Sequence, residues 1–485
     1  MSKVPKRAVL TISGSMTQQE ADEFYPLGVY DCLLPCRLFD VTYKAAVPKN
    51  FSVLSEFVLR LIKATGEIDE NDIGHYFGLN HRELSYVLVE LDEAGYLTRG
   101  DGQVCLSAAG EQLFTHDSPI PKIFAVEELS KQVGIDLISL CLEERKSLTF
   151  AELRFPELAI LDAPAASSAG DKVISLFSRN FSQFSSSATG RWQDRPILYS
   201  VDGATPLSRF SATVRINIGS KPRSPTSAEV NLSDWGDKYQ IEDRVDILRA
   251  VQDFAETLYI SKSDDAERSF EVLTTTATEF LAEWTRSDGL AIRRYYNECL
   301  GRVGEVRSDR KTIPVLGSLF VKENLRRLLD QLKYASTPDH SPKSIFWIAP
   351  NVPHWGATRN LSEIVATLQD RYGEIDNSPD VIGVCAKNAE WVLSRVFDKT
   401  IDNERLGVPR GLEVLLIPDV LCSVIVHEPL EAPRGLPVPL GYISRDSKVI
   451  ERTRKLLSDL GSTDKTLSEL FSDIRPGPPN DLSKR

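Results

Sequence analysis

The stretch GLNHRELSYVLVELDEAGYLTRGDGQVCLSAAG (residues 78–110) carries the clearest fold signal in the chain. Asn80 can cap a helix, and Glu83, three places later, completes the pattern of a capping box. Gly95 is then a natural end for this helix. The letters that follow, YLT-RGDG-QVCLS, predict two short strands joined by a turn. Apolar residues recur at helical spacing between the two ends of the predicted helix: Leu84, Val87, Leu88 and Leu91.

The flanking residues extend this pattern into a complete unit. Residues 52–65 have the apolar spacing of a helix, and 66–78 read as a short acidic helix that ends at Gly78. The letters AAGEQLF predict a closing helix. This order of three helices and two strands resembles the winged-helix fold, and the phrase ELDEAGYLTR at the end of the third helix is typical of that fold.

The resemblance implies a DNA-reading surface on the third helix. In winged-helix proteins that read DNA, the exposed face of this helix enters the major groove while the wing reaches the phosphate backbone. The predicted DNA-contacting residues of this unit are Asn80, Arg82, Ser85, Tyr86 and Arg99.

The charge of this unit opposes that interpretation. Residues 50–115 contain four Lys or Arg against eleven Asp or Glu, a net formal charge of −7. Phosphate repulsion therefore opposes binding to DNA. Winged helices also serve as protein-docking modules, so the sequence leaves open both direct DNA contact and protein contact.

The overall composition indicates a folded chain in a reducing compartment. At 485 residues the chain is long enough for roughly three domains. We predict neither a signal peptide nor a membrane-spanning helix, because no apolar run is long enough. Seven scattered cysteines favour free thiols and a cytoplasmic location. The net charge of −12 argues against a protein coated with nucleic acid, although a local contact patch stays compatible with it.

Residues 119–300 predict a central α+β region. The letters VEELSKQVGIDLISLCLEERK (126–146) favour a helix, and strands are expected at 197–201 and 211–219. Two helical stretches follow, near 241–262 and 270–300.

Two stretches combine features that suit nucleic acid. Residues 175–195 interleave aromatic rings with arginines, as proteins that stack single-stranded bases do, although the same aromatics suit a buried core. Residues 293–333 contain ten Lys or Arg against five Asp or Glu, which suits either a phosphate contact or a salt-bridged surface. The candidate DNA-binding residues here are Arg179, Arg191, Trp192, Arg195, Arg326 and Arg327.

Residues 301–465 alternate helices with buried strands, which predicts an α/β sheet. The order of SIFWIAPNV, LEVLLIPD and VIVHEPL, followed by a Ser-Arg-Asp phrase and a last helix, resembles one half of a phospholipase D-like fold. Active members of that superfamily need two His-x-Lys motifs, one histidine as nucleophile and the other as acid.

Here the matching letters are His427-Glu428-Pro429, and proline cannot carry the charge of the missing lysine. The resemblance therefore implies a degenerate domain that lacks the His-x-Lys pairs. His427 is the one weak catalytic candidate, and a nuclease alternative would need Arg434 or Arg445 to replace the lysine. The alternative is that His427 has no catalytic role and is a partly buried histidine at the end of a strand.

The sequence thus predicts an α/β multidomain chain. Its parts are a winged-helix domain with an N-terminal lead-in (1–118), a central α+β region (119–300), a phospholipase D-like α/β domain (301–465) and a disordered tail (466–485).

The function expected from these parts is that of a non-catalytic DNA-binding or scaffolding subunit of a DNA-acting system, in regulation or antiviral defence. The alternatives are a phospholipase D-like nuclease that uses His427 and a protein-interaction adaptor that docks through an acidic winged helix. DNA and protein subunits are the expected partners, and a homo-oligomer is compatible with the sequence. We predict no cofactor, no metal and no membrane contact.

Overall fold

A computed structural model of the chain describes residues 24–49, 51–114, 119–184, 196–222, 224–232, 245–286, 289–301, 309–335, 342–373, 378–387, 389–403 and 407–461. The fold is mixed α/β, as the sequence predicted at this coarse level. The predicted disordered tail at 466–485 lies outside the described residues.

The described part of the chain contains eighteen strands and fifteen α-helices. In chain order the strands are β1 (Tyr25–Lys49), β2 (Glu67–Asp69), β3 (Leu97–Gly100), β4 (Gln103–Leu106), β5 (Ile123–Asp136), β6 (Ile197–Lys221), β7 (Ser224–Asn231), β8 (Ile260–Ser261), β9 (Thr285–Arg286), β10 (Gly289–Leu290), β11 (Thr312–Leu316), β12 (Ser344–Ile348), β13 (Asp380–Cys385), β14 (Lys399–Asp402), β15 (Leu412–Ile417), β16 (Leu421–Glu428), β17 (Arg434–Gly435) and β18 (Val438–Ser444). The helices are α1 (Val53–Thr65), α2 (Glu70–Phe77), α3 (His81–Glu93), α4 (Ala108–Gln112), α5 (Ala163–Ser167), α6 (Ala169–Arg179), α7 (Phe181–Phe184), α8 (Val245–Thr257), α9 (Ala266–Thr276), α10 (Thr278–Leu281), α11 (Ile292–Gly301), α12 (Lys322–Tyr334), α13 (Arg359–Tyr372), α14 (Glu390–Leu393) and α15 (Ser447–Gly461). None of these helices has the length and apolar character that a membrane crossing requires.

The first sheet is antiparallel, with the strand order β5-β1-β6-β7. Side chains of β1 alternate between its two faces. Cys32, Leu34 and Cys36 face the main core of the protein, whereas Phe39 and Val41 face a smaller core under α6 and α7. The long strand β1 therefore contributes to more than one core, and Val29 near its start joins a third.

The predicted helix at 126–146 is wrong, because the first half of it is the strand β5. Its fourteen residues pair with β1 from Cys36↔Asp136 to Lys49↔Ile123. Val133 and Ile135 are buried at the alternating spacing of a strand. Pairing with β1 overrides the helical preference of the glutamates and leucines in this stretch. The predicted helix near 270–300 is likewise interrupted, by the two-stranded β9-β10 hairpin.

Residues 51–114 form an insert between β1 and β5, two strands that lie side by side in the same sheet. The sequence grouped the residues before this insert with it, in a unit of 1–118. In the structure residues 25–49 pair instead with β5 and β6. The insert therefore connects β1 to β5 at the end of their pairing, beyond Lys49 and Ile123.

The insert has its own sheet and its own core. Its strands lie in the order β2-β4-β3, and its buried cluster consists of residues from 51–114 alone. The predicted capping box is confirmed: Asn80 Oδ1 accepts from the N–H groups of Arg82 and Glu83, and the Glu83 side chain accepts from the N–H of Asn80. Gly78 ends α2 with a positive φ of 67°, as expected for a helix C-terminus.

The second large sheet has seven strands in the order β11-β18-β16-β15-β12-β13-β14. The pairs β12–β13 and β13–β14 are parallel, and the other pairs are antiparallel. The sequence predicted no strand at VPLGYIS, yet β18 lies inside the sheet between β11 and β16. Gly441 permits this close packing, because a Cβ there would lie 1.9 Å from the carbonyl oxygen of Val424.

A single apolar cluster joins the two large sheets. It contains Leu34 and Ile216 from the first sheet, Phe254 from α8, and Val414 and Val424 from the second sheet. The opposite face of the seven-stranded sheet packs against α12 and α13. The predicted central and C-terminal regions thus share one core, and we call this larger part the body.

Candidate functional site

His427 lies near the end of β16 and is buried, with 3% of its surface exposed. Its Nε2 atom lies 2.6 Å from Oε2 of Glu413 on the neighbouring strand β15. Glu413 pairs in register with Ile425, so His427 is its diagonal cross-strand neighbour, two residues further along β16. The tautomer of the ring sets which atom donates in this contact.

Glu413 is also the acceptor for two tryptophans. Trp347 Nε1 donates to its Oε1 atom over 3.0 Å, and Trp355 Nε1 donates to its Oε2 atom over 3.2 Å. Together with His427 these residues form what we call the Glu413 cluster. A buried carboxylate costs free energy unless hydrogen-bond partners surround it, and here two indole N–H groups donate to it while the imidazole of His427 lies within hydrogen-bonding distance.

The space beside His427 is small. A cavity of about 20 Å3 adjoins the ring, which is room for about one water molecule. A phosphodiester cannot occupy such a volume. The lining includes Leu27, Tyr30, Ser318, Trp355 and Pro437.

The cations that could replace the missing lysine are engaged or placed elsewhere. Arg445 donates to Oε1 of Gln331 and to the carbonyl oxygen of Tyr334. Arg434 is exposed on β17, which pairs with β8. Glu428, next to His427, is buried, and burial raises the pKa of its carboxyl group. The imidazole of His427 is therefore held by a carboxylate. No positive side chain stands two residues after it, where Pro429 lies.

The insert brings the residues of the predicted reading helix onto one surface. Arg82, Tyr86, Val89, Glu90 and Glu93 are exposed on α3, and Ser85 is half-buried among them. We call these six residues the α3 face. Two depressions flank Tyr86, one toward Leu54 of α1 and the other toward Glu93.

Asn80 and Arg99 of the predicted DNA surface have other partners. The side-chain oxygen of Asn80 is used in capping α3. Arg99 donates two hydrogen bonds to the carboxylate of Glu70, over 2.9 and 3.0 Å. The hydrogen bond to Glu70 raises the pKa of the Arg99 guanidinium. Arg99 is therefore held against the insert itself.

Two further cations of the insert are also paired within it, and one is not. Arg60 pairs with Glu56, and Lys63 pairs with Glu111. Arg82 is the remaining Lys or Arg of the insert, and the described residues offer it no ion-pair partner within 4.0 Å. A phosphate that approached α3 would thus meet one available guanidinium among many carboxylates.

The aromatic stretch beginning at residue 175 contributes to a core in its described part. Phe177 and Phe181 are buried, and Phe184 stacks on Phe177 with ring centroids 5.1 Å apart. These three rings therefore pack in a core, which is the second of the two arrangements that the sequence left open for this stretch. Arg179 is exposed at the end of α6. The predicted contacts Arg191, Trp192 and Arg195 lie outside the described residues.

The basic stretch 293–333 is largely paired in its described part. Arg327 is 4% exposed and donates to the carbonyl oxygens of Pro314 and Cys299, so its guanidinium lies inside the protein. A DNA contact by Arg327, as predicted from the sequence, would need this guanidinium at the surface, and it is buried. Arg326 is exposed and lies 4.0 Å from Asp330, and Arg310 lies 3.4 Å from Glu298. The salt-bridged alternative fits these arrangements better, although the acidic partners Asp330 and Glu298 lie in the same stretch, Glu283, the partner of Arg294, lies just before it, and none of the three lies in the insert.

One polar network had no signal in the sequence. Asp31 on β1 is buried, and it accepts two hydrogen bonds from Arg215 on β6, over 2.8 and 2.9 Å. It also accepts from the hydroxyl of Thr358 and from the backbone N–H of Arg359, at the start of α13. We call this the Asp31 joint, because it ties the first sheet to the helix that covers the second.

Cys32 and Cys36, the one close cysteine pair, are buried in β1, and burial raises the pKa of the Cys32 thiol. Across the ranges that the structure describes, no group of three His, Cys, Asp or Glu has metal-binding geometry.

Comparisons of this chain with protein-family models, with curated proteins and with solved structures found no match.

Proposed function

We propose that this chain is a non-catalytic subunit of a DNA-acting system, in which it seats partner proteins. Regulation and antiviral defence are the settings that the resemblances imply. The body acts as a rigid support, and the insert acts as the contact module.

The observation that carries the non-catalytic role is the closed Glu413 cluster. A nucleophilic or acid histidine must reach the reacting phosphate within hydrogen-bonding distance. His427 is buried, its Nε2 is engaged by Glu413, and the adjoining cavity has room for about one water molecule. Pro429 occupies the place where the chemistry needs a cation.

Two further observations support the domain assignment within this proposal. The insert has the helix order, the three-stranded sheet and the strand pair β3-β4 that a winged helix requires, with α3 in the position of the reading helix. The strands from β12 to β16, followed by the terminal helix α15, keep the order on which the phospholipase D-like resemblance rests. The missing His-x-Lys pairs make that part of the body a degenerate domain.

Nuclease assays test the non-catalytic role. We expect the purified chain to leave single-stranded and duplex DNA uncleaved, and the His427→Ala and His427→Gln variants to behave identically. Urea denaturation of both variants would establish that they fold. Cleavage by the parent that both folded variants lose would overturn the proposal in favour of the nuclease alternative.

Direct DNA contact through α3 is a second candidate, and one observation favours it: Arg82 is exposed and has no ion-pair partner in the described part of the chain. Under this candidate, Arg82→Ala should weaken duplex binding by about 1–3 kcal/mol if the contact is to a base. If the contact is to a phosphate, the slope of log affinity against log salt should instead fall by about one.

Arg99→Ala is the matched control for this measurement, because Glu70 already holds Arg99. Mobility shifts across a series of salt concentrations would compare the two variants with the parent. Equal loss in both variants, or no binding by the parent at low salt, would exclude direct reading by α3.

A further inference from the structure

The α3 face has an apolar centre that the insert leaves uncovered. Tyr86 is 75% exposed, and Val89 is exposed one turn further along the helix. Exposed aromatic side chains are enriched at protein interfaces, where they supply contact area at a low cost in conformational entropy.

The first helix of the insert extends this apolar surface. Leu54 and Tyr86 line the same depression, so α1 and α3 adjoin at this point. Phe57 is exposed one turn beyond Leu54 and lies under the guanidinium of Arg60. The apolar centre therefore spans two helices.

The rim of this surface is acidic. Glu83, Glu90, Asp92 and Glu93 are exposed on α3, and Arg82 is the one arginine among them. Electrostatic complementarity favours a partner of opposite sign and disfavours the phosphate backbone.

We infer that the α3 face, together with Leu54 and Phe57, is a docking surface for a protein segment that presents a large apolar side chain between lysines or arginines. The apolar side chain fits beside Tyr86, in the depressions that flank it, and the cations fit against Glu90 and Glu93. This inference rests on the proposed function, because it names the partner class of the same insert. Duplex DNA is the competing occupant.

The test uses the full chain and two labelled peptides measured by fluorescence polarisation. One peptide is a helix with a stripe of Leu and Phe flanked by Lys, and the other has the same charge with Ser in place of Leu and Phe. We expect the first peptide to bind more tightly, because charge alone provides little affinity at physiological salt.

Variants then locate the site. Tyr86→Ser should weaken binding of the first peptide about tenfold or more, the size expected for an interfacial hot spot. Glu90→Lys combined with Glu93→Lys should weaken it further. Two matched controls should leave binding unchanged: Tyr199→Ser, whose side chain is equally exposed on β6, and Glu267→Lys combined with Glu271→Lys on α9.

Equal affinity for the two peptides, or equal losses in the site and control variants, would overturn the inference. So would duplex DNA binding that needs Tyr86 and is tighter than peptide binding. The nuclease assays with His427 variants are independent of this measurement. Failure of the docking surface therefore leaves the non-catalytic role standing, and DNA cleavage would remove that role whatever the peptides do.

Discussion

Glu413→Ala is expected to lower the free energy of unfolding by about 3–5 kcal/mol, the cost of removing one member of a buried, mutually bonded polar set. The substitution leaves two indole N–H groups and the Nε2 of His427 without their acceptor. It also opens a cavity at the centre of the seven-stranded sheet, where Glu413 lies on the buried strand β15. A loss of this size is a large fraction of the stability of a typical domain.

Urea denaturation followed by tryptophan fluorescence measures this effect, because Trp347 and Trp355 contact the substituted residue directly. Glu413→Gln is the informative comparison, since its carbonyl oxygen can still accept from one indole, and we expect a smaller loss. Glu431→Ala, at an exposed position beyond β16, should leave the midpoint unchanged. An unchanged midpoint in Glu413→Ala would show that the cluster contributes little to stability.

Asp31→Ala is expected to lower the free energy of unfolding by about 1–3 kcal/mol, less than Glu413→Ala, because the guanidinium of Arg215 is partly exposed and keeps some of its hydration. The substitution leaves the guanidinium of Arg215 without its bidentate partner and removes the acceptor for the first N–H of α13. Asp31 is buried, whereas the side chain of Arg215 is 43% exposed, so water can hydrate part of the guanidinium but cannot readily reach the N–H at the start of α13.

Asp202→Ala is the matched control for this prediction, because Asp202 pairs with Lys44 in the same sheet but at an exposed position. Exposed ion pairs contribute at most about 1 kcal/mol, so this variant should unfold almost like the parent. A double-mutant cycle of Asp31→Ala with Arg215→Ala should show a coupling energy in the range of about 0.5–3 kcal/mol. Strictly additive losses would indicate that the pair does not hold the two sheets together.

The sequence by itself determined the elements of the insert. Asn80, Glu83 and Gly78 act on backbone groups a few residues away, so the capping box and the helix end can be predicted from local letters. The same letters also gave the acidic charge of α3, which weakens the case for DNA reading. Local signals succeeded here because the insert buries only its own residues.

The same reasoning failed wherever a distant neighbour decided the outcome. The glutamates and leucines near 126–136 favour a helix locally, but pairing with β1 makes that stretch a strand. No strand was predicted at the Pro- and Gly-containing letters VPLGYIS, yet they form β18 between β11 and β16. These pairings depend on backbone hydrogen bonds to strands that are remote in sequence.

Part of the candidate site could likewise be predicted from the sequence, and part could not. The sequence singled out His427 and the proline two places after it, because both are read from adjacent letters. Only the tertiary structure decided that His427 and two tryptophans meet at Glu413, that Glu70 holds Arg99, and that Asp31 meets Thr358 from 327 positions away. The free-energy cost of a buried polar group is met by whichever partner the fold brings within hydrogen-bonding distance, and that partner is set by the packing of the sheets and not by spacing along the chain.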